Sequence, residues 1–277
     1  MLLNNEGYAN RCVAEILNTQ TRKYVTYAGN PKLMNNVMAE IPILLPPLEE
    51  QEKIAEILNL WDAQIAEVQD LIHHKQRLKT GLMQKLFTQS LRFKGFAQDW
   101  EIVRLGDVAE IIMGSSPKSS AYNNVGDGLP LIQGKGSLKD RYPAPKCYTS
   151  KITKTCKEGD IILSVRAPVG YVAKSTYDAC IGRGVCAIRA KNGDFLYFVL
   201  IYMENAWLGQ GSIFEAVNKD EVKKFRLPLP SLEEQEKIAE ILSVADEEIE
   251  LLVQKHQALE TQKRALMQRL LTGKVRV

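Results

Sequence analysis

The residue types that most often carry catalysis are sparse in this chain and poorly spaced for it. The three histidines, His73, His74 and His256, lie far from every cysteine, so no tight set of zinc ligands can be assembled. Cys147 with Cys156, and Cys180 with Cys186, have no neighbouring histidine, and the reading they support is buried free thiols. With Cys12 they make five cysteines, an odd count without framework spacing, which points to a reducing cytoplasm. Gly182-Arg183-Gly184-Val185-Cys186-Ala187 fits a relaxed dinucleotide pattern but runs into a strand-like segment, where that motif needs a helix N-terminus. Gly134-Lys135-Gly136-Ser137 lacks the earlier glycine of a phosphate loop. Asp220-Glu221-Val222-Lys223 holds a nuclease-like Glu-x-Lys, but it is short and stands alone on what reads as a helix face. What remains is the chemistry of binding.

Residues 118–191 carry 13 basic side chains against 5 acidic ones, interleaved with Tyr122, Tyr142, Tyr148, Tyr171 and Tyr177. Arginine and lysine neutralise phosphates, while glutamine, serine and arginine reach base edges. The candidates for phosphate or base contact are Lys135, Arg141, Arg166, Lys174 and Arg183, with Ser115, Gln133 and Ser212 on loops. Charge alone leaves a lysine-rich solvated face as an equal alternative. Arg166, in Ser164-Val165-Arg166-Ala167-Pro168, has a second possible role, fixing that turn by hydrogen bonds.

The elements that must position these residues are announced by an internal repeat. Leu48-Glu49-Glu50-Gln51-Glu52-Lys53-Ile54-Ala55-Glu56-Ile57-Leu58 recurs unchanged as residues 232–242, 184 positions later. At the same offset Asp62, Ile65, Lys79, Leu82, Met83, Gln84, Leu86 and Thr88 match their counterparts, making 19 identities over residues 48–88. The period is far longer than the roughly 20–50 residues of a solenoid. Both copies read as long helices. Pro46-Pro47 opens the first, and Ser231 with Glu234 has the spacing of a capping box for the second. The first apolar seam is Ile54, Leu58, Trp61, Ile65, Val68, Ile72, Leu82 and Leu86. The second is Ile238, Leu242, Ala245, Ile249, Leu252, Leu259, Leu266 and Leu270. Steps of three and four give a 3.5-residue period, hence coiled-coil packing of two rods of roughly 60 Å. Lys75 and Lys79 interrupt the first seam, His256 and Lys263 the second. They are either register keys or stems that snorkel to solvent.

Four segments follow: 1–45, a rod over 46–90, a glycine-rich and mostly β domain over 91–230, and a second rod over 231–277. The fold class is therefore α+β. Strands are expected at residues 102–105, 108–113, 129–132, 161–165 and 185–188, and helices at residues 9–18 and 195–207. The formal net charge of +3 hides an uneven distribution. Residues 89–230 carry 20 basic and 14 acidic side chains, whereas residues 48–88 carry 5 and 7 and residues 231–277 carry 7 and 9. The longest apolar runs fall far short of the roughly 20 residues that cross a bilayer, and Met1-Leu2-Leu3-Asn4-Asn5-Glu6 is unlike a signal peptide.

The chain resembles the specificity subunits of type I restriction–modification systems. The duplicated Leu-Glu-Glu-Gln-Glu-Lys-Ile-Ala-Glu-Ile-Leu rods are similar to that family's helical repeats. Phe93-Lys94-Gly95-Phe96, Asp99-Trp100-Glu101, Leu105-Gly106-Asp107-Val108, Gly159-Asp160-Ile161-Ile162, Ser164 to Gly170, Ile181 to Gly184 and Gly211 to Phe214 are similar to its target recognition domains. The resemblance implies rods that pair antiparallel and hold recognition domains, each reading one half of a split site in double-stranded DNA. It implies no active site in this chain. Methyltransferase subunits carrying S-adenosylmethionine, and through them translocating nuclease subunits, are the implied partners, in the cytoplasm. Residues 1–45 correspond to the end of a first recognition domain. The resemblance thus leaves two arrangements, one chain reading one half-site or a homodimer reading a symmetric split site. Two competing classes are a nuclease or self-contained methyltransferase using Glu221 and Lys223, and a coiled-coil adaptor without a DNA role.

Overall fold

The computed structural model describes residues 7–27, 32–204 and 216–277. The chain divides into two compact units, one of residues 1–76 with 247–277 and one of residues 77–246. Each contains a part of both long helices, α3 (Leu48–Phe87) and α7 (Leu232–Leu271). The helices begin where the prolines end. Gln51 donates its amide to the Pro46 carbonyl at 2.7 Å, and Gln235, its repeat partner, does the same to Pro230 at 2.9 Å.

In the first unit, α1 (Arg11–Thr21) starts two residues later than expected, because the Asn10 side chain caps it by accepting the Val13 amide at 3.1 Å. A short α2 (Asn35–Ala39) follows. Cys12 and Ile16 of α1 pack on Ile54 and Leu58 of α3 and on Leu270 and Leu271 of α7. Lys263 pairs with Asp62, and Lys75 with Glu248 at 2.6 Å, so later positions on one helix meet earlier positions on the other. That order is antiparallel. In the second unit Lys79 pairs with Asp246 in the same sense. Lys75, Lys79 and Lys263 therefore hold acidic partners across the helix pair and do not reach for bulk solvent as the snorkelling alternative had it. Ile54, Leu58, Val68, Ile72, Leu86, Ile238, Leu242 and Leu270 of the expected seam are buried. Trp61, Ile65, Ile249, Leu252 and Leu259 are half-buried, since one neighbouring helix covers only one side of an apolar stripe.

The second unit carries the sheets. Strands β1 (Glu101–Arg104) and β13 (Arg226–Leu229) pair with each other. An antiparallel four-stranded sheet runs in the order β10 (Val172–Lys174), β9 (Ile161–Ser164), β12 (Val185–Ala190) and β2 (Ala109–Met113). A mixed five-stranded sheet runs β3 (Tyr122–Asn123), β7 (Tyr148–Thr149), β4 (Leu129–Ile132), β11 (Ala179–Ile181) and β8 (Thr155–Cys156), with β4 and β11 parallel. A small hairpin joins β5 (Leu138–Lys139) to β6 (Tyr142–Pro143). The uninterrupted apolar runs have a simple cause. In β9 and β12, Ile161, Leu163, Cys186 and Ile188 face one core, while Ile162, Val185 and Ala187 face another. A sheet covered on both faces favours apolar side chains at successive positions.

The first of these cores is closed by helices. Phe195 to Leu200 of α5 (Gly193–Tyr202), Met83, Leu86 and Phe87 of α3, and Ile238, Ala239 and Leu242 of α7 all join it. Trp100 meets Phe87 and Phe195 edge to face, each at 6.4 Å. Three sequence expectations shift. Leu105 leaves the first strand to open a single helical turn, α4 (Leu105–Val108), and is fully buried there. α5 begins at Gly193 because Asn192 caps it, and the end expected at Trp207 lies outside the described residues. The Ser231 capping box forms only in half. Ser231 accepts the Glu234 amide at 3.4 Å, but the Glu234 carboxylate is taken by Arg92 and Trp100.

Candidate nucleic-acid interface

Four loops of the second unit, residues 114–119, 133–137, 165–168 and 182–184, converge beside the ends of β4 and β11, and residues 146–147 join them. They enclose an open groove of about 960 Å³, whose lining includes Lys118, Lys135, Lys146, Arg166 and Arg183 together with Ser116, Ser119, Tyr122, Gln133 and Ser137. All five cations are exposed. None is within ion-pair reach of a carboxylate among the described residues. Lys135 instead holds its ammonium 4.9 Å from the centre of the Tyr171 ring. A cluster of positive charge without counter-charges, on loops and facing solvent, creates a field that attracts anions.

The loops are locked together by backbone. The β4–β11 pairing continues past the strands, with Gly182 donating to the Ile132 carbonyl at 2.8 Å and Gly184 to that of Gln133 at 3.1 Å. Gly114 donates to Val185 at 3.0 Å and Ser115 to Ile181 at 2.9 Å. Two glycines permit this approach: a Cβ on Gly114 would overlap the Gly182 carbonyl, and one on Gly184 would overlap the Gln133 carbonyl.

Of the expected contact residues, Lys135, Arg166, Arg183 and Gln133 come together here. Ser115 lies on the same loop but outside the groove lining, and its carbonyl accepts the Thr153 hydroxyl. The turn around Arg166 is held by Ser164, whose hydroxyl donates to the Pro168 carbonyl at 2.7 Å and accepts the Tyr171 amide at 2.9 Å. That leaves the Arg166 side chain facing the groove. Arg141 and Lys174 are placed elsewhere. Asp140 and Arg141 both have positive φ, 49° and 69°, and form the two-residue turn of the β5–β6 hairpin. The Arg141 guanidinium folds back onto Glu204 at 2.7 and 3.0 Å and onto the Val172 carbonyl at 3.1 Å. Its burial works against the charge, but Glu204 more than offsets this and raises the guanidinium above its ordinary range. Lys174 is paired with Asp194. Nearby, Arg189 is paired with Asp160 at 2.7 Å and Lys157 with Asp178 at 2.5 Å, so that patch is internally neutralised. Ser212 lies outside the described residues.

Lys118, Lys146, Ser116 and Ser119 were missed. Lys118 and Lys146 entered the count of basic residues, but nothing in their local sequence separates groove lysines from solvated ones. Glu221 of the nuclease-like Glu-x-Lys has another employment. Asn218 caps α6 (Lys219–Lys224), accepting the Asp220 and Glu221 amides at 3.0 Å, and Glu221 accepts the Asn218 amide at 2.7 Å in a full capping box. Cys12, Cys156, Cys180 and Cys186 are buried free thiols and Cys147 is half-buried. Burial pushes the Cys186 thiol up to about 12, so it stays protonated and unreactive. Among the described residues no group of three or more His, Cys, Asp or Glu is placed to hold a metal ion, and no helix is long and apolar enough to cross a membrane.

The type I restriction modification DNA specificity domain matches this chain over residues 5–73 and 97–261. The chain belongs to that family. Its fellow members include a putative type I restriction enzyme specificity subunit, MjaX, from Methanocaldococcus jannaschii, 39% identical over 274 residues that cover 92% of this chain and 64% of that protein. This specificity-family chain thus spans just under two thirds of that relative. Among solved structures it is similar to the HsdS subunit of Thermoanaerobacter tengcongensis, with 31% identity, a TM-score of 0.54, and 95% of this chain and 68% of that one covered. The type I S subunit of M. genitalium shares the fold, with a TM-score of 0.69 at 16% identity over 94% of this chain and 71% of that one.

Proposed function

We propose that this chain directs a type I restriction–modification complex to its target, and that residues 91–230 bind duplex DNA through the groove described above. One observation carries the reading: Lys118, Lys135, Lys146, Arg166 and Arg183, from separate loops, converge on one groove without acidic partners among the described residues. Phosphates supply the missing counter-charge, and the groove's serine and glutamine side chains can address base edges. Methylation, with S-adenosylmethionine, and cleavage then reside in methyltransferase and nuclease subunits of the cytoplasmic complex. Docking on the rods is supported by Leu60, Leu71, Leu78, Val244 and Leu251, apolar side chains exposed on α3 and α7.

The groove reading is tested by fluorescence anisotropy on duplex DNA across a salt series. Binding should weaken steeply with salt, and Arg166→Ala and Arg183→Ala should each lower affinity. Unchanged affinity and salt dependence in both variants sinks the proposed face. A split target needs a second recognition domain. We propose that it comes from a second copy of this chain, and light scattering at about twice 31.2 kDa is the expected result.

A further inference from the structure

We infer that sequence is read by Gln133 and Arg183, while Lys118 and Lys146 hold the phosphate backbone. The inference rests on the DNA-binding reading of the groove and divides the labour within it. Base recognition and phosphate binding make different mechanical demands. A bidentate contact to a base edge must be placed within a few tenths of an ångström, so the backbone beneath it has to be rigid. A phosphate is met adequately by a flexible point charge.

Gln133 and Arg183 stand on backbone tied down by hydrogen bonds. Gln133 directly follows β4 and Arg183 lies one residue beyond Gly182 at the end of β11, parallel strands in which Ile132 and Ile181 are paired. Both main-chain polar groups of Gln133 are engaged, its amide with the Ser137 hydroxyl at 3.2 Å and its carbonyl with the Gly184 amide at 3.1 Å. The Arg183 amide donates to the Ser116 hydroxyl at 3.1 Å, and the flanking Gly182 and Gly184 amides are tied to residues 132 and 133. Despite this, both side chains are exposed and, among the described residues, neither side chain makes a hydrogen bond or ion pair. A rigid base carrying an unspent side-chain fork is what direct readout requires. Lys118 and Lys146 are exposed on loops at the groove's lining.

The chemistry of the two forks sets the expected bases. Guanidinium donates twice to guanine O6 and N7, and a carboxamide both accepts from and donates to adenine at N6 and N7. Hydrogen-bonded neighbouring backbones lie about 4.8 Å apart and base pairs rise by about 3.4 Å, so the two bases should lie within about two steps of each other.

The test selects binding sites for the full chain from random-sequence duplexes, then measures affinity for the selected duplex and its single-base variants over a salt series. The wild-type chain should select a guanine and an adenine within two steps. Arg183→Lys keeps the charge but loses the fork, and should relax the guanine position by about tenfold with an unchanged salt slope. Gln133→Ala should relax the adenine position alike. The double variant Lys118→Ala/Lys146→Ala should weaken all duplexes evenly and make the slope shallower by about two. Selective wild-type binding that survives Arg183→Lys and Gln133→Ala overturns this assignment while leaving the groove reading intact. Absent or unselective wild-type binding overturns the groove reading itself, and this assignment with it.

Discussion

The Asp62 carboxylate of α3 receives the Lys263 ammonium of α7, and the same repeat positions meet again with the helices exchanged, Asp246 receiving Lys79. Asp246 is Asp62 displaced by 184 residues, and Lys263 is likewise Lys79. The buried carboxylates at the helix starts follow the same rule: Glu50 is held by Arg276 at 2.6 Å and Glu234 by Arg92 at 2.8 Å. Duplication of one antiparallel self-complementary rod accounts for both pairs of pairs. Slipping the register would separate each acid from its base and bring the apolar seam out of step.

Reversing one charge of such a pair should therefore destabilise, and reversing both should restore. Lys79 and Asp246 keep 16% and 31% of their side-chain surface, so solvent screens the interaction only partly. Lys79→Asp alone should cost about 1 kcal/mol, and adding Asp246→Lys should recover most of it. Denaturant midpoints for the four corners of the cycle measure this, and an additive double variant would contradict the pairing.

Acidification should weaken the first unit. Burial tends to raise the Asp62 carboxyl, but hydrogen bonds from Lys263 and Arg11 outweigh it and leave the group below the ordinary carboxylate range. A group depressed in the folded state stabilises at pH above its unfolded value, about 3.9, and that contribution disappears as pH falls through the lower folded value. Stability followed from pH 6 downwards should drop below about pH 4, and Asp62→Asn should flatten the fall.

Glu234 is 2% exposed and accepts from Arg92 Nε and Nη2 and from the Trp100 indole N–H, the latter at 3.0 Å. Glu234→Ala strands a guanidinium and an indole donor next to the core, and should cost about 3 kcal/mol. Trp100 fluorescence should shift to the red. Glu50→Ala should cost less, because Arg276 is 66% exposed and water replaces its partner.

Gly184→Ala forces a Cβ against the Gln133 carbonyl. Spreading the two loops should cost about 1–3 kcal/mol, in the range of an overpacked site. Discrimination between DNA sequences should fall more than affinity for random duplex, because the phosphate-facing lysines are untouched. Melting temperature together with competition binding separates the two effects.

Much of this was legible in the chain itself. The 184-residue repeat, the proline-bounded rod starts and the 3.5-residue seam are local signals; α3 and α7 begin within two residues of the expected 46 and 231, but end at Phe87 and Leu271, three and six residues short of the expected 90 and 277. The strand over residues 129–132 was equally plain, since continuous apolar runs between glycine turns have few other uses, and the one expected over 161–165 stops one residue earlier, at Ser164. The groove was legible only as charge. Lys135, Arg166 and Arg183 stood out only as basic residues of a basic segment, but so did Arg141 and Lys174, which the fold spends on Glu204 and Asp194.

What the sequence by itself determined is therefore the family, the order of the elements and the pairing of the rods, because repeat, periodicity and capping act over a few turns of chain. Tertiary structure decided which cations are free. An arginine is neutralised or left open by a carboxylate many residues away, as Arg141 is by Glu204 and Arg92 by Glu234. Charge balance across such distances is a property of packing, and no local pattern carries it.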